Sequence, residues 1–195
     1  MSVLPIAIST GPLTRPCADA AGRLLGERGR LVRKYEADGQ GGRSLEADVL
    51  AGRIVAVLDL TLNELVAEML GRSGGAGLDR LTAAALRGIP QVIALGGLDA
   101  AWRFPINNAK IPGALFRRTS SEENDALGRE IANKASAARG PTTILVPSRS
   151  VPPVLVQSLQ NWISPHVPVR ELDLHINDPA FAAAAVEALE TELRP

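Results

Sequence analysis

Cysteine is almost missing from the 195-residue chain: Cys17 stands alone, so no disulfide framework can staple the fold. Aromatic residues are scarce (two Trp, one Tyr, three Phe), which argues against a platform that stacks single-stranded bases. Net charge is absent too, with 21 basic and 21 acidic side chains, so no bulk basic field marks a nucleic-acid partner. No apolar run reaches the roughly 18 residues that span a bilayer, and the start, Met1 to Thr10, lacks a basic region and a long apolar stretch. These absences lead to the expectation of a cytoplasmic protein with neither nucleic acid nor membrane as partner. A globule of this length buries roughly 70% of its unfolded surface, enough for one ordinary domain, expected over 1–195.

What is present is alternation. Short apolar or β-branched runs predict strands at Val3–Ile8, Leu31–Tyr35, Ile54–Leu60, Gln91–Leu95, Thr142–Val146 and Val167–Leu174. Several are apolar without a break, as strands covered on both faces are; Leu31–Tyr35, with Arg33 and Lys34, suits an edge. Between them lie helical patterns. Cys17, Ala20, Ala21, Leu24 and Leu25 form one apolar stripe after an N-cap at Thr14, with Cys17 a small core residue. Further helices are expected over 43–51, from a Thr61/Glu64 capping box to about Gly71, over 78–87, from a Ser120/Glu123 capping box to about Gly140, over 154–163, and after the Asp178-Pro179 N-cap. Residues 71–77 read as a mobile loop and 102–116 as an irregular excursion from the sheet. The expected fold class is α/β: a doubly wound, mainly parallel, Rossmann-like sheet with helices on both faces.

In such sheets ligands bind beyond the carboxyl ends of the strands. The sequence places small or polar residues after every strand, and that rim is the expected site. Gly39-Gln-Gly-Gly-Arg-Ser44 opens a helix, so its free N–H groups and Arg43 suit an anion, although a tight strand-to-helix turn explains it equally well. Asp59 could accept a ligand hydroxyl or hold a metal-bound water, and Thr61 and Glu64 are claimed by the capping box. Asp173 and His175 are the candidate acid–base pair, with Asn177 and Asp178 close by. His166 is the only other histidine, so no metal set is assigned. Arg118 and Arg149 are expected beside Arg43 on the rim, facing Asp59, Asp99 and Asp173.

The order of these segments is familiar. Gly41-Gly42-Arg43 with Leu45-Glu46, Val57 to Thr61 with Glu64-Leu65, and Asp79-Arg80-Leu81 come first. Gly88 to Val92 with Gly97 to Asp99, Arg118-Thr119 with Glu122 to Asn124, and Leu172 to Phe181 follow. Together they resemble the uncharacterised family of the plant tobamovirus-resistance protein, whose members are called ATP-binding domain proteins. The likeness covers nearly the whole chain but only the C-terminal one of the family's two α/β domains. It implies ligand-binding roles for Gly41, Gly42, Arg43, Asp59, Thr61, Asp99, Arg118, Thr119 and Asn177. ATP with magnesium is the cofactor it suggests, and an N-terminal ATP-binding-type domain is expected to be absent. The chain departs from the pattern in a shorter, more basic Pro147–Pro153 loop and in Ile111–Phe116. Three functions are expected in competition: binding of an anionic metabolite or nucleotide, assembly with itself or a separate N-terminal-domain subunit, and an unknown reaction at Asp173/His175.

Overall fold

The computed structural model describes residues 3–103 and 115–194. Its centre is a six-stranded, all-parallel sheet in the order β2-β1-β3-β4-β7-β8, formed by β1 (Ile6–Thr10), β2 (Val32–Glu36), β3 (Ala56–Asp59), β4 (Gln91–Ala94), β7 (Thr142–Pro147) and β8 (Val169–Leu172). A separate antiparallel pair, β5 (Ala100–Arg103) and β6 (Leu115–Arg118), follows β4 and forms the ends of the expected excursion. Its centre, with most of Ile111–Phe116, lies outside the described residues.

Strand alternation divides the core between the two faces of the sheet. Ile6, Ile8, Leu58, Val92 and Leu145 face α1 (Arg15–Glu27) and α7 (Pro179–Glu192), where Cys17, Ala21, Leu25, Phe181 and Leu189 complete the packing. Ile93, Ile144 and Val146 face the other way, against Leu65 of α3 (Asn63–Met69), Ile131 of α5 (Ser121–Ser136) and Leu155 and Leu159 of α6 (Pro153–Trp162). On that same second face, Ala7 and Val57 meet Leu45 and Val49 of α2 (Gln40–Leu50) and two alanines of α4 (Ala83–Arg87). The fold is therefore α/β with both sheet faces covered.

Four local expectations change. β1 begins at Ile6 rather than Val3, because Pro5 has no N–H to donate and offers only its carbonyl, which accepts from Val55 N at 3.1 Å. The helix expected over 78–87 shrinks to Ala83–Arg87, since Gly77 and Leu81 take left-handed φ of 89° and 71°. The Thr61/Glu64 box does not form: Leu62 precedes α3 with no side-chain cap, and Glu64 points elsewhere. Thr14 and Asp178 occupy N-cap positions without capping through their side chains. The Ser120/Glu123 box does form, with Glu123 N donating to Ser120 Oγ at 3.2 Å and Ser120 N to Glu123 Oε2 at 2.8 Å.

Candidate functional site

The carboxyl ends of the strands divide into three places. The first is a buried clasp. Arg80, 1% exposed, donates from Nη1 and Nη2 to Asp59 Oδ2 and Oδ1 at 2.5 and 2.6 Å and from Nε to Glu64 Oε2 at 2.7 Å. Its Nη1 also reaches Glu46 Oε1 at 3.3 Å. Burial alone would lower the Arg80 pKa, but the three carboxylates raise it, so the guanidinium stays charged. Desolvation pushes Glu46 above the usual carboxylate range, against the pull of Arg80 and of the N–H groups it accepts from. Those are Leu81, Thr82 and Ala83 N, so Glu46 closes the start of α4. Asp59 additionally accepts from Ser9 Oγ at 2.7 Å. Asp59, expected on the rim, thus faces inward and is spent on Arg80, and Thr61, 1% exposed, meets the hydroxyl of Thr14.

The second place is the glycine turn before α2. The anion at this helix start is the protein's own: Glu64 Oε1 accepts from Gly39 N at 2.7 Å and Gly42 N at 3.1 Å, and Asp38 Oδ1 accepts from Gly41 N at 2.8 Å. The glycines have a packing reason. A Cβ on Gly41 would lie 1.9 Å from Glu36 O, and one on Gly42 2.2 Å from Glu64 Oε2. Arg43 donates to Gly75 O at 2.9 Å and stands apart from Arg118 and Arg149.

The third place is an open pocket of about 440 Å3 beyond β4, β7 and β8. Asp99, Arg118, Thr119 and His175 meet there with Asn124, Arg149 and Ser150. Arg149 binds Asp173 in a fork, Nε to Oδ1 and Nη2 to Oδ2, both at 2.9 Å. The hydrogen bond from Arg149 holds the Asp173 carboxyl below its ordinary range. His175 Nδ1 accepts from Asn177 N at 3.1 Å, so in the neutral ring Nε2 carries the proton. Asp173 and His175 each hold another partner and make no hydrogen bond to one another. Arg118 Nη1 lies 3.5 Å from Asp99 Oδ2, and Thr119 Oγ1 donates to Asn124 Oδ1 at 2.8 Å. Asn177 does not line the pocket; its Nδ2 ties the turn after β8 to Leu13 O at 2.9 Å.

Sequence reasoning missed the organising role of Arg80. A signal was available: Gly42, Glu46 and Val49 share one helix face, which puts a carboxylate in an apolar stripe that needs a counter-charge. The Pro147–Pro153 loop forms a 3-10 turn at 148–150 and the start of α6, and it supplies one wall of the pocket from Arg149 to Pro153.

This arrangement defines a parallel-sheet α/β domain with a polar, arginine-bearing rim. Residues 4–153 match the description "Uncharacterised protein family (UPF0261) C-terminal domain", and the chain belongs to that family. It is similar to a UPF0261 protein of Clostridium tetani, 30% identical over 91% of this chain and 50% of that protein, and to one of Rhizobium meliloti, 31% identical over 97% and 54%. It is also similar to the ToMV resistance protein Tm-1 of Solanum lycopersicum, at 26% identity over 94% of this chain and 28% of that one. The chain spans about half the length of the bacterial relatives. Among solved structures it is similar in fold to the esterase domain of a Rhodothermus marinus protein, with a TM-score of 0.59 at 15% identity over 96% of this chain and 88% of that one.

Proposed function

We propose that the domain binds a small anionic ligand, a phosphorylated metabolite or nucleotide, in the pocket beyond β4, β7 and β8. The observation that carries the reading is the convergence of Arg118, Arg149 and His175 with Thr119 and Ser150 on one concave surface. Two guanidinium groups suit phosphate and carboxylate oxygens. The arginines are held by exposed pairs, Arg149 with Asp173 and Arg118 with Asp99. Exposed pairs contribute only about 0–1 kcal/mol, so an incoming anion takes over the Arg149 guanidinium from Asp173 at small cost. The turn before α2, filled by Glu64, offers ATP no phosphate cradle, and phosphate recognition falls to the rim arginines.

Calorimetric titration of inorganic phosphate, and of ATP with and without magnesium, tests this on the natural protein, Arg118→Ala and Arg149→Ala. Losing a charged hydrogen bond of about 1.5–3 kcal/mol weakens binding roughly 10- to 100-fold. Equal affinities in all three proteins contradict the proposal. The half-length match to the bacterial relatives supports a second reading, in which the domain works beside a companion domain on the same or another chain. Light scattering with such a partner shows a complex if that reading holds and separate species if it does not.

A further inference from the structure

In a parallel sheet every strand begins at the same end, and the helices between strands run back to it. Here that end lies opposite the rim with the arginine pocket, and toward β2 it is apolar. Val3 and Leu4 lead into β1, Leu31 directly precedes β2, and Val55 directly precedes β3. Leu50 ends α2, and Leu86 is the last residue but one of α4. These six are between 38 and 73% exposed, and they make up six of the ten exposed large apolar side chains among the described residues. Such a gathering is not the single scatter that any surface shows.

The backbone makes the surface continuous. Ile6 N donates to Leu31 O at 2.8 Å and Val55 N to Pro5 O at 3.1 Å, so three lead-in segments lie side by side at strand spacing, about 4.8 Å. The ends of α2 and α4 come together beside them: a Cβ on Gly52 would lie 3.2 Å from Arg87 Nη2. The bordering charges carry both signs in pairs. Arg30 Nε donates to Glu190 Oε1 at 2.9 Å, and Asp48 accepts from Arg33 Nη1 at 2.8 Å and from Arg53 Nε at 2.9 Å. Arg28 likewise binds Glu187. An apolar centre inside a polar border is the build of a protein–protein contact.

From this geometry we infer that the amino end of the sheet is the contact face of a homodimer, occupied by a second copy of this chain across a twofold axis. Charge selects that occupant. With 21 basic and 21 acidic side chains the chain has no net charge, so copies approach without mutual repulsion. The interspersed guanidinium and carboxylate groups of the border find partners of opposite sign on an identical border, whereas a strongly acidic or basic partner meets no matching field. A twofold contact sets one patch on itself, and an apolar centre is complementary to its own copy. The anion pocket at the opposite end stays open in both copies, so the dimer and the ligand reading stand or fall separately.

Sedimentation equilibrium from micromolar to submillimolar concentration tests the face on the natural protein, Leu31→Glu/Val55→Glu and Leu78→Glu. All three positions are exposed, so their backbone hydrogen bonds survive, and thermal melting confirms that the variants fold. The natural protein sediments with twice the 20.5 kDa mass of one chain, and so does Leu78→Glu, whose leucine lies beside α5 and away from this face. Leu31→Glu/Val55→Glu sets four carboxylates in one contact and weakens dimerisation by at least about ten-fold, leaving a single chain. A natural protein that stays a single chain at every concentration leaves the face to another partner and overturns the inference. A dimer that survives Leu31→Glu/Val55→Glu, or that Leu78→Glu breaks instead, overturns it as well.

Discussion

Arg80 shows how one side chain organises three elements. Its guanidinium faces carboxylates from α2, from the end of β3 and from α3. Two of these, Glu46 and Glu64, also close the starts of α4 and α2. The cluster holds Leu81 at a left-handed φ of 71°, a backbone state costing roughly 1–2 kcal/mol for a residue with a Cβ. Arg80→Met leaves buried carboxylates without a counter-charge, and breaking a buried pair costs about 3–5 kcal/mol. Urea unfolding measures this, and the expected midpoint falls sharply because whole domains hold only about 5–15 kcal/mol. An unchanged midpoint denies the clasp its structural role. Asp59 explains why the sequence misled here: the end of a buried strand is where a ligand contact is expected, and nothing local tells that Arg80 arrives from 21 residues away. Asp99 and His175 were legible because they come soon after the strands expected at 91–95 and 167–174, where the parallel fold gathers polar groups, whereas Arg118 and Thr119, at the end of the antiparallel β6, were singled out as residues before a helix and by the family resemblance.

At the scale of elements, local chemistry was readable and long-range competition was not. The Ser120/Glu123 box forms because both partners lie within one turn. Glu64 has the same spacing from Thr61, yet the free N–H groups of α2 capture it across 22 to 25 residues. The edge position of β2 was visible in Arg33 and Lys34, both exposed at the margin of the sheet. Helix contacts gave no such sign. α5 and α6 approach through Gly128, where a Cβ would lie 2.5 Å from Leu155 O and 2.7 Å from Ser158 Cβ. Gly128→Ala therefore forces these helices apart. Overpacking of this kind costs about 1–3 kcal/mol, outweighing the roughly 1 kcal/mol that alanine gains over glycine in a helix. Thermal melting reads the difference: a lower transition is expected, and a higher one contradicts the close packing.

For the whole molecule, zero net charge conceals a division of labour along one rim. Toward β2 the acids turn inward on Arg80; toward β8 two arginines and a histidine border an open pocket. The parallel order of the strands was legible from unbroken apolar runs such as Ile144 to Val146, buried on both faces. Which polar ends would share a pocket depended on strand order and on the Pro147–Pro153 turn, neither of which periodicity encodes. The central claim is that anion recognition belongs to Arg118, Arg149 and His175 and not to the glycine turn. Amide shift mapping during titration with inorganic phosphate tests it most directly. The account predicts saturable shifts at Thr119, Ser150 and His175 with Gly39 to Arg43 unmoved; shifts centred on Gly39 to Arg43, with Thr119 and Ser150 silent, would contradict it.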